Sequence, residues 1–371
     1  MSKAAELAAL IANVNNGSSL AAKNFIINGN MNVAQRGTST TGLGADGATY
    51  NTADRFCHSL GNTAGRFTSA IIADGPSGFA NCLKLSCTTA DTSVAATEYF
   101  HLQHRMEGQN LQSIAKGTAD AKPLTASFYV KGNASATYVA ELYDTDNTRQ
   151  ISKTFSVTTS WSRVELTFPA DTTGALDDDN ALSLLLSIHL HDGSNFTSGT
   201  TNSSAWASAT TANRGNSSAT SFFDSTSRTF FLTGVQLEIG EKATEFEHEP
   251  YEATLAKCHR YFVKVNDEFA SQTNAYPAYP SNRWGANQQF ATVALPQPIR
   301  GQATITVTGT TGVGFKCNGS GDDKTAVVHL NTEKTGHVTF YGDSLSYNPT
   351  NSHAGVMFIH DDSIMTFDAE L

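Results

Sequence analysis

Short segments in which apolar and polar residues alternate make up most of the sequence. In residues 182–191, Leu184, Leu186, Ile188 and Leu190 fall on one face, as in a strand that packs one side against a core. Turn residues such as Asp192-Gly193-Ser194 separate these segments. The candidate strands of the first part are 25–28, 67–72, 82–88, 99–104, 124–131, 137–143, 152–158, 162–168, 182–190 and 229–238. Many short strands with regular turns predict a β-sandwich or jelly roll.

Composition supports an all-β chain and excludes two classes of partner. Charged residues make up 16% of the 371 residues, and 34 acidic residues outnumber 24 basic ones, for a formal charge of −10. Lys and Arg form no run, so the phosphate-neutralising cluster of a nucleic-acid groove is missing. The same argument speaks against an anionic membrane surface. We therefore expect neither nucleic-acid binding nor membrane insertion.

The pattern predicts four parts. Residues 1–23 contain a short helix with an apolar stripe at Leu7, Leu10, Ile11 and Val14, followed by a linker. A helix this short is marginal alone, so we expect it to serve attachment or oligomerisation. Residues 24–248 form the jelly roll, 249–262 a helical linker and 263–371 a smaller β-sandwich. The predicted fold class is all-β: a jelly-roll β-sandwich, then a second β-sandwich, with a short N-terminal α-helix.

The last part again carries strand patterns. Its candidate strands are 259–265, 289–294, 303–308, 313–316, 325–330, 336–340, 355–359 and 363–370. In the first part, residues 193–228 are nearly all Ser, Thr, Asn, Ala and Gly around Trp206. That stretch exceeds ordinary loop length, which predicts a functional or mobile loop.

The five cysteines predict buried free thiols rather than a disulfide framework. They are Cys57, Cys82, Cys87, Cys258 and Cys317, an odd number at low density and without a C-x-x-C spacing. A Cys82–Cys87 bridge is the alternative. The sequence also shows no signal-peptide pattern and no apolar stretch long enough to span a membrane.

Several segments together resemble a known family. Residues 24–37, 50–56 and 233–251 look like the opening and closing parts of a jelly roll, and 255–262 looks like the join to a second domain. The combined set resembles bacteriophage tail-fibre-like virion proteins with a carbohydrate-binding-module-like jelly roll. The resemblance implies a non-enzymatic virion protein on the tail or outer capsid, made in the host cytoplasm. It also implies a homotrimer whose residues 1–23 bind other tail or capsid proteins.

The resemblance also bears on metals. Modules of this shape often hold a structural calcium through an acidic residue of the last strand, but 235–238 carries Glu238 and no Asp at that place. Asp144-x-Asp146-Asn147 begins like a calcium loop, yet Arg149 and Phe155 stand where Gly and Glu are required, which favours a hairpin turn. The sequence therefore assigns no cofactor and no metal ligand.

His189-x-His191 places two imidazoles on one face of a strand. The spacing favours two exposed histidines. The alternative is a transition-metal site formed by three copies around a trimer axis.

No catalytic residue is assigned. Glycoside cleavage needs two carboxylates at a defined separation, one of them with a raised pKa. Asp54, Glu98, Glu107, Glu141 and Glu165 are available, but none lies in a recognisable motif. Nucleophile-elbow, zinc-protease, Walker and dinucleotide motifs are also missing.

Aromatic residues are the candidate glycan contacts, because an aromatic face stacks on a sugar ring while neighbouring polar groups bond its hydroxyls. The candidates are Trp206, Tyr276, Tyr279 and Trp284. The alternative is that these rings pack a trimer interface or cap a core.

Three functions remain open at this point. The favoured one is a tail fibre that binds a host-surface glycan, with avidity from several copies. A capsid decoration or tail-wall component without a receptor is the second. A capsule depolymerase is the third, and the lack of a repeat of about 20–30 residues argues against the β-helix that such an enzyme would need.

Overall fold

A computed structural model describes residues 24–265, 278–285, 288–308, 313–317, 320–324, 327–330, 336–342, 355–359 and 363–371. The chain divides into two compact units, one ending at Pro250 and the other beginning at Tyr251. The predicted helix within residues 1–23 lies outside the described residues. None of the helices in the described ranges has the length and hydrophobicity of a membrane span.

The first unit is a jelly-roll β-sandwich of two antiparallel sheets. Its strands are β1 (Ser39–Leu43), β2 (Gly47–Tyr50), β3 (Phe56–Gly61), β4 (Arg66–Ile72), β5 (Cys82–Thr89), β6 (Tyr99–Glu107), β7 (Leu124–Gly132), β8 (Ala136–Asp144), β9 (Arg149–Val157), β10 (Ser162–Phe168), β11 (Leu182–Asp192), β12 (Ala207–Ser208) and β13 (Thr229–Ile239). A six-stranded sheet has the order β1-β4-β5-β13-β7-β10 and a seven-stranded sheet has the order β12-β9-β8-β11-β6-β3-β2. Helix α1 (Ser194–Thr197) and three 3₁₀ turns (Gly108–Asn110, Gln112–Ile114 and Thr211–Asn213) lie in the connections.

Alternate side chains of the two sheets fill one core. From β11 it receives Leu184, Leu186, Ile188 and Leu190, the set that the alternation predicts. Phe67 and Phe100 stack with ring centres 4.7 Å apart near the middle of this core. Burial of each large apolar side chain contributes roughly 1.5–3 kcal/mol before entropic costs. The opposite side of β11 is buried as well, which the sequence pattern does not indicate.

The prediction of a strand at residues 25–28 is wrong. The chain there makes a turn, and Asn28 adopts a left-handed backbone with φ of 63°. The segment still lies against the closing strand, because the N–H of Phe25 donates to Leu237 O at 2.9 Å and the N–H of Val235 donates to Gly29 O at 3.0 Å. Asn side chains favour such turns because they bond nearby backbone groups that a strand would leave for its neighbour.

Asn28 holds this turn together, and its replacement should be costly. Its Nδ2 donates to Val33 O and Asp54 O, and its Oδ1 accepts from the N–H of Val33. Asn28→Ala removes three bonds worth about 1 kcal/mol each, so we expect a loss of roughly 3 kcal/mol in unfolding free energy. Asn28→Gly loses the same bonds but tolerates the positive φ, and should be about 1 kcal/mol less damaging. Denaturant unfolding of both variants tests this; near-wild-type stability of Asn28→Ala would contradict it.

The hairpin predicted at Asp144–Asn147 is confirmed, since β8 ends at Asp144 and β9 begins at Arg149. The buried carboxylate of Asp144 accepts the N–H of Asn147 at 3.0 Å and a 2.5 Å bond from the ammonium of Lys116. The chain's own lysine therefore supplies the positive charge at this turn.

Cys57, Cys82, Cys87 and Cys258 are buried free thiols, as predicted. Cys82 and Cys87 lie on the same strand, β5. Five positions along a strand span about 16 Å and leave the two side chains on opposite faces, far beyond the reach of a disulfide.

The second unit begins with helix α2 (Tyr251–His259), within the predicted linker. A strand predicted at 259–265 is therefore wrong over its first residues, and β14 runs only from Phe262 to Val265. The remaining strands are β15 (Ala278–Gly285), β16 (Gln288–Ala294), β17 (Thr304–Thr308), β18 (Val313–Cys317), β19 (Ser320–Lys324), β20 (Val327–Leu330), β21 (His337–Gly342), β22 (Gly355–Ile359) and β23 (Ile364–Asp368).

These strands form a second, smaller β-sandwich. One sheet has the order β14-β23-β17 and the other β19-β18-β22-β15-β16-β21-β20. Phe367 of the three-stranded sheet and Phe340 of the seven-stranded sheet meet edge to face, with ring centres 6.3 Å apart, in a shared core. The fold class predicted from the sequence is thus confirmed for both sandwiches.

Candidate functional site

The seven-stranded sheet of the first unit has an outer face, the side that points away from the jelly-roll core. On β11 this face carries Ser187, whose cross-strand neighbours are Gln103 on β6 and Glu141 on β8. All three side chains are buried. Side chains that point away from the core are buried only where another layer covers them, so a second layer of the chain lies over this part of the face.

The next row of the outer face combines an aromatic ring with polar and apolar neighbours. Tyr143 on β8 lies between Leu185 on β11 and Gln150 on β9. Its ring is half-buried, and the guanidinium of Arg214 lies 4.4 Å from the ring centre. Leu185 and Gln150 are buried, so Tyr143 is the partly exposed member of this row.

Residues 193–228, called here the cover segment, supply the second layer. Asn202 accepts the N–H of Ser152 and donates to Gln150 O, which fastens the segment along β9. Phe196 packs against the rings of Tyr99 and His101 on β6, with centres 5.5 and 5.4 Å away. The long polar stretch is thus packed across the outer face, and its Phe222 and Phe223 enter the core.

A charge-balanced network joins the cover segment to the sheet. Arg214 donates two bonds of 2.8 Å to the fully buried carboxylate of Glu141. His189 bonds the same carboxylate at 3.0 Å through Nε2 and bonds Asp192 at 2.8 Å through Nδ1. Two carboxylates therefore face one guanidinium and one imidazole.

The pKa shifts of the network follow from this geometry. Burial lowers the pKa of His189, but the facing carboxylates of Asp192 and Glu141 outweigh burial and raise it to about 9. Burial raises the pKa of Glu141, but the bonds and charge of Arg214 outweigh burial and lower it to about 2. At neutral pH the network thus holds two negative and two positive charges.

The prediction that His189 and His191 are exposed is wrong. They are 1% and 2% exposed, because the cover segment and the loops at the end of β11 lie over them. His189 stacks on His101 with ring centres 3.7 Å apart, and His101 bonds Asp192 at 2.7 Å. Burial and the neighbouring charge of His189 lower the pKa of His101 to about 4, so His101 is neutral.

The side chains of two of the four predicted glycan contacts, Trp206 and Tyr279, lie within the described residues. Trp206 is half-buried against the jelly-roll core, and its indole N–H donates to Pro169 O at 2.9 Å. The ammonium of Lys116 lies 5.3 Å from its ring centre. Tyr279 is half-buried against the core of the second unit. Tyr276 and the side chain of Trp284 lie outside the described residues, and a role in glycan contact stays a prediction for all four.

The carboxylates considered for catalysis make structural contacts. Asp54 accepts from the backbone and side chain of Gln35, Glu98 bonds His191, and Glu107 accepts from Gln109. Glu165 pairs with Arg163 at 3.2 Å on the six-stranded sheet. Glu141, with its lowered pKa, is the opposite of the protonated acid that glycoside hydrolysis requires.

Glu238, at the position considered for calcium, is bonded by groups of the chain itself. Its carboxylate accepts from Gln236 Nε2, from the N–H of Thr244 and from the Thr244 hydroxyl, at 2.7 to 2.8 Å.

Sequence patterns do not reveal Tyr143, Glu141 and Arg214 as a site. Alternation places Tyr143 and Glu141 on the outer face of β8, which is a usable signal. Arg214 comes from a stretch without any periodic pattern, so its partner cannot be inferred from spacing.

No protein-family model matches the sequence, and a comparison with curated proteins found no match. Solved structures similar to this chain include a CBM4 module, with a TM-score of 0.31 and 11% identity over 58% of this chain and 99% of that one. Another is the family 11 carbohydrate-binding module of cellulase Lic26A-Cel5E of Clostridium thermocellum, with a TM-score of 0.28 and 13% identity over 55% and 99%.

A third similar structure is the enzymatically active domain of tailspike protein 4 of bacteriophage CBA120. Its TM-score is 0.29 and its identity 11%, over 58% of this chain and 21% of the tailspike chain. Similarity at this level carries no conclusion about ligand or activity.

Proposed function

We propose that the chain is a non-enzymatic virion protein that binds a host-surface glycan through the outer face of its seven-stranded sheet. The observation that carries the proposal is the half-buried ring of Tyr143 on this face, flanked by the buried side chains of Leu185 and Gln150. A sugar ring stacks on an aromatic platform, and the ring of Tyr143 is the part of this row that the cover segment leaves partly exposed.

The role on the particle rests on the sequence resemblance. In this proposal the protein is a homotrimeric tail fibre, with residues 1–23 bound to other tail or capsid proteins. Each site binds weakly, and several copies raise the avidity without new contacts. The proposed location is the virion, after synthesis in the host cytoplasm. A particle of three times the 39.5 kDa chain mass by light scattering would support the trimer.

The absence of catalysis is part of the same proposal. The support is that the described carboxylates considered for catalysis make structural bonds, and that Glu141 has a pKa of about 2. An acid catalyst for glycoside cleavage needs a raised pKa.

A glycan array tests the proposal with the purified full chain. We expect reproducible binding to a related group of bacterial surface glycans without release of reducing sugar. No binding to any glycan at micromolar protein would favour the purely architectural role. Reducing-sugar release from a bound polysaccharide would favour a depolymerase.

A further inference from the structure

A second polar cluster lies at one end of the jelly roll, apart from the outer-face row proposed to bind glycan. It contains Asp91 from the loop after β5, Glu98 from the residue before β6, and His191 from the end of β11. Each offers one oxygen or nitrogen atom, and these atoms all lie within 4.8 Å of one another. The residues are 7%, 5% and 2% exposed.

The charges of this cluster are not balanced by the chain. The Asp91 carboxylate forms no ion pair with any residue in the described ranges, and that of Glu98 pairs only with His191, at 3.1 Å. One imidazole therefore faces two buried carboxylates, and a cation among them would pair with both.

The cluster also has hydrogen bonds that orient its members. The Nδ1 of His191 bonds the Ser221 hydroxyl at 2.7 Å, which points Nε2 towards Glu98. One oxygen of Asp91 accepts from the Thr63 hydroxyl at 3.0 Å and from the N–H of Ala64 at 2.7 Å. Such outer bonds are typical of metal ligands, because they fix the ring orientation and hold the carboxylate in place.

The group of His101, His189 and Asp192 differs from this cluster in its charge balance. Its donor atoms also lie within 4.8 Å of one another. There, however, Arg214 and the charged His189 already neutralise Glu141 and Asp192, and both imidazoles are bonded to Asp192. An added cation would meet positive charge in that group, whereas no lysine or arginine forms an ion pair with Asp91 or Glu98 in the described ranges.

We propose that Asp91, Glu98 and His191 bind one divalent transition-metal ion, zinc or manganese, which fastens the loops at this end of the jelly roll. One imidazole and two carboxylates suit these ions better than calcium, which takes oxygen ligands almost exclusively. Zinc-to-ligand lengths near 2.0–2.1 Å separate tetrahedral ligands by about 3.4 Å, close to the Glu98–His191 spacing.

The ion would connect three parts of the chain. His191 lies just before the cover segment, and Ser221, which bonds His191, lies near the end of that segment. The N–H of Asp91 donates to Phe223 O, and the N–H of Gly193 donates to Glu98 O. A metal here therefore holds both ends of the cover segment against the loop that precedes β6.

The test uses the full chain stripped with a chelator and then titrated separately with Zn²⁺, Mn²⁺ and Ca²⁺. We expect one Zn²⁺ or Mn²⁺ per chain by elemental analysis after gel filtration, and a rise in melting temperature that grows with metal concentration. Ca²⁺ at the same concentration should bind at least tenfold more weakly. Protein that retains neither Zn²⁺ nor Mn²⁺ and shows no rise in melting temperature at any point of the titrations would overturn the proposal.

Matched variants locate the site. Glu98→Gln and Asp91→Asn keep shape but lose charge, and each should weaken metal binding at least tenfold. Each variant's melting temperature without metal shows whether it still folds. His101→Gln, in the balanced group, should bind metal like the wild type. Unchanged binding in both Glu98→Gln and Asp91→Asn, or loss of binding in His101→Gln alone, would place the metal elsewhere and overturn the assignment.

Discussion

Arg214→Met is expected to lower the melting temperature of the jelly-roll unit by roughly 10 °C. The substitution removes the two bonds that Arg214 donates to the buried carboxylate of Glu141 and leaves the bond to His189. Breaking a buried ion pair by removing one member costs about 3–5 kcal/mol, because the remaining charge stays desolvated. Scanning calorimetry of the full chain measures the change.

Arg163→Met is the matched control for this prediction. Arg163 also lies over a tyrosine ring, that of Tyr129 on the six-stranded sheet, at 6.0 Å. Its acidic partner Glu165 has a half-exposed side chain, so the pair is worth only about 0–1 kcal/mol. If Arg214→Met and Arg163→Met lower the melting temperature equally, the burial of Glu141 does not determine the destabilisation.

The double variant Arg214→Met with Glu141→Gln adds a further check. Removing the negative charge together with its partner leaves no uncompensated carboxylate, so the double variant should be less destabilised than the sum of the single variants.

Limited proteolysis should also cut the cover segment faster in Arg214→Met, since the segment then loses its ion pair with Glu141 on the sheet.

Acid is expected to destabilise the first unit between pH 6.5 and pH 4 through its buried histidines. Burial lowers the pKa of His58 to about 4 and, with the charge of Arg55, lowers that of His104 well below its usual range. The unfolded chain takes up these protons from about pH 6.5 downwards, whereas the folded chain does so only near pH 4. Stability is therefore fully present above about pH 6.5 and falls as pH decreases, by roughly 2–3 kcal/mol for His58 at pH 4.5.

His58→Phe tests the acid prediction. The His58 ring lies among Phe67 and Phe100, with centres 5.3 and 6.2 Å away, so a phenyl ring suits the pocket but cannot take up a proton. The loss of unfolding free energy between pH 7 and pH 4.5 should shrink by roughly 2–3 kcal/mol, whatever the variant's stability at pH 7. His248→Phe, at an exposed position, should keep the wild-type slope. If the unfolding free energy of His58→Phe depends on pH as it does in the wild type, His58 is not a source of the acid destabilisation.

Strand positions could be predicted where apolar residues recur at every second position along the face that meets the core. This alternation locates β4, β7 and β11 to within about two residues, although the opposite face of β11 is also buried. It failed at residues 25–28, where the side chain of Asn28 bonds backbone groups of Val33 and Asp54 and so favours a turn.

The candidate sites depend on contacts between distant segments, which spacing does not encode. His189 and His191 were expected to be exposed because nothing in the composition of the cover segment indicates that it packs on the sheet. Asp91, Glu98 and His191 come from three separate parts of the chain, so no ligand spacing appears in the sequence. The sheet order, which places β11 beside β6, explains the proximity of His191 and Glu98, while Asp91 arrives from the loop after β5 of the other sheet.

The affinity of two tyrosine variants for the glycan that the array identifies tests the central claim most directly. Tyr143 and Tyr129 are both half-buried, both lie on the outer face of a sheet, and each has an arginine over its ring. We predict that Tyr143→Ala binds about tenfold more weakly, the loss of roughly 1.4 kcal/mol expected for a stacking ring, while Tyr129→Ala binds like the wild type. Wild-type affinity in Tyr143→Ala would contradict binding at the outer face of the seven-stranded sheet.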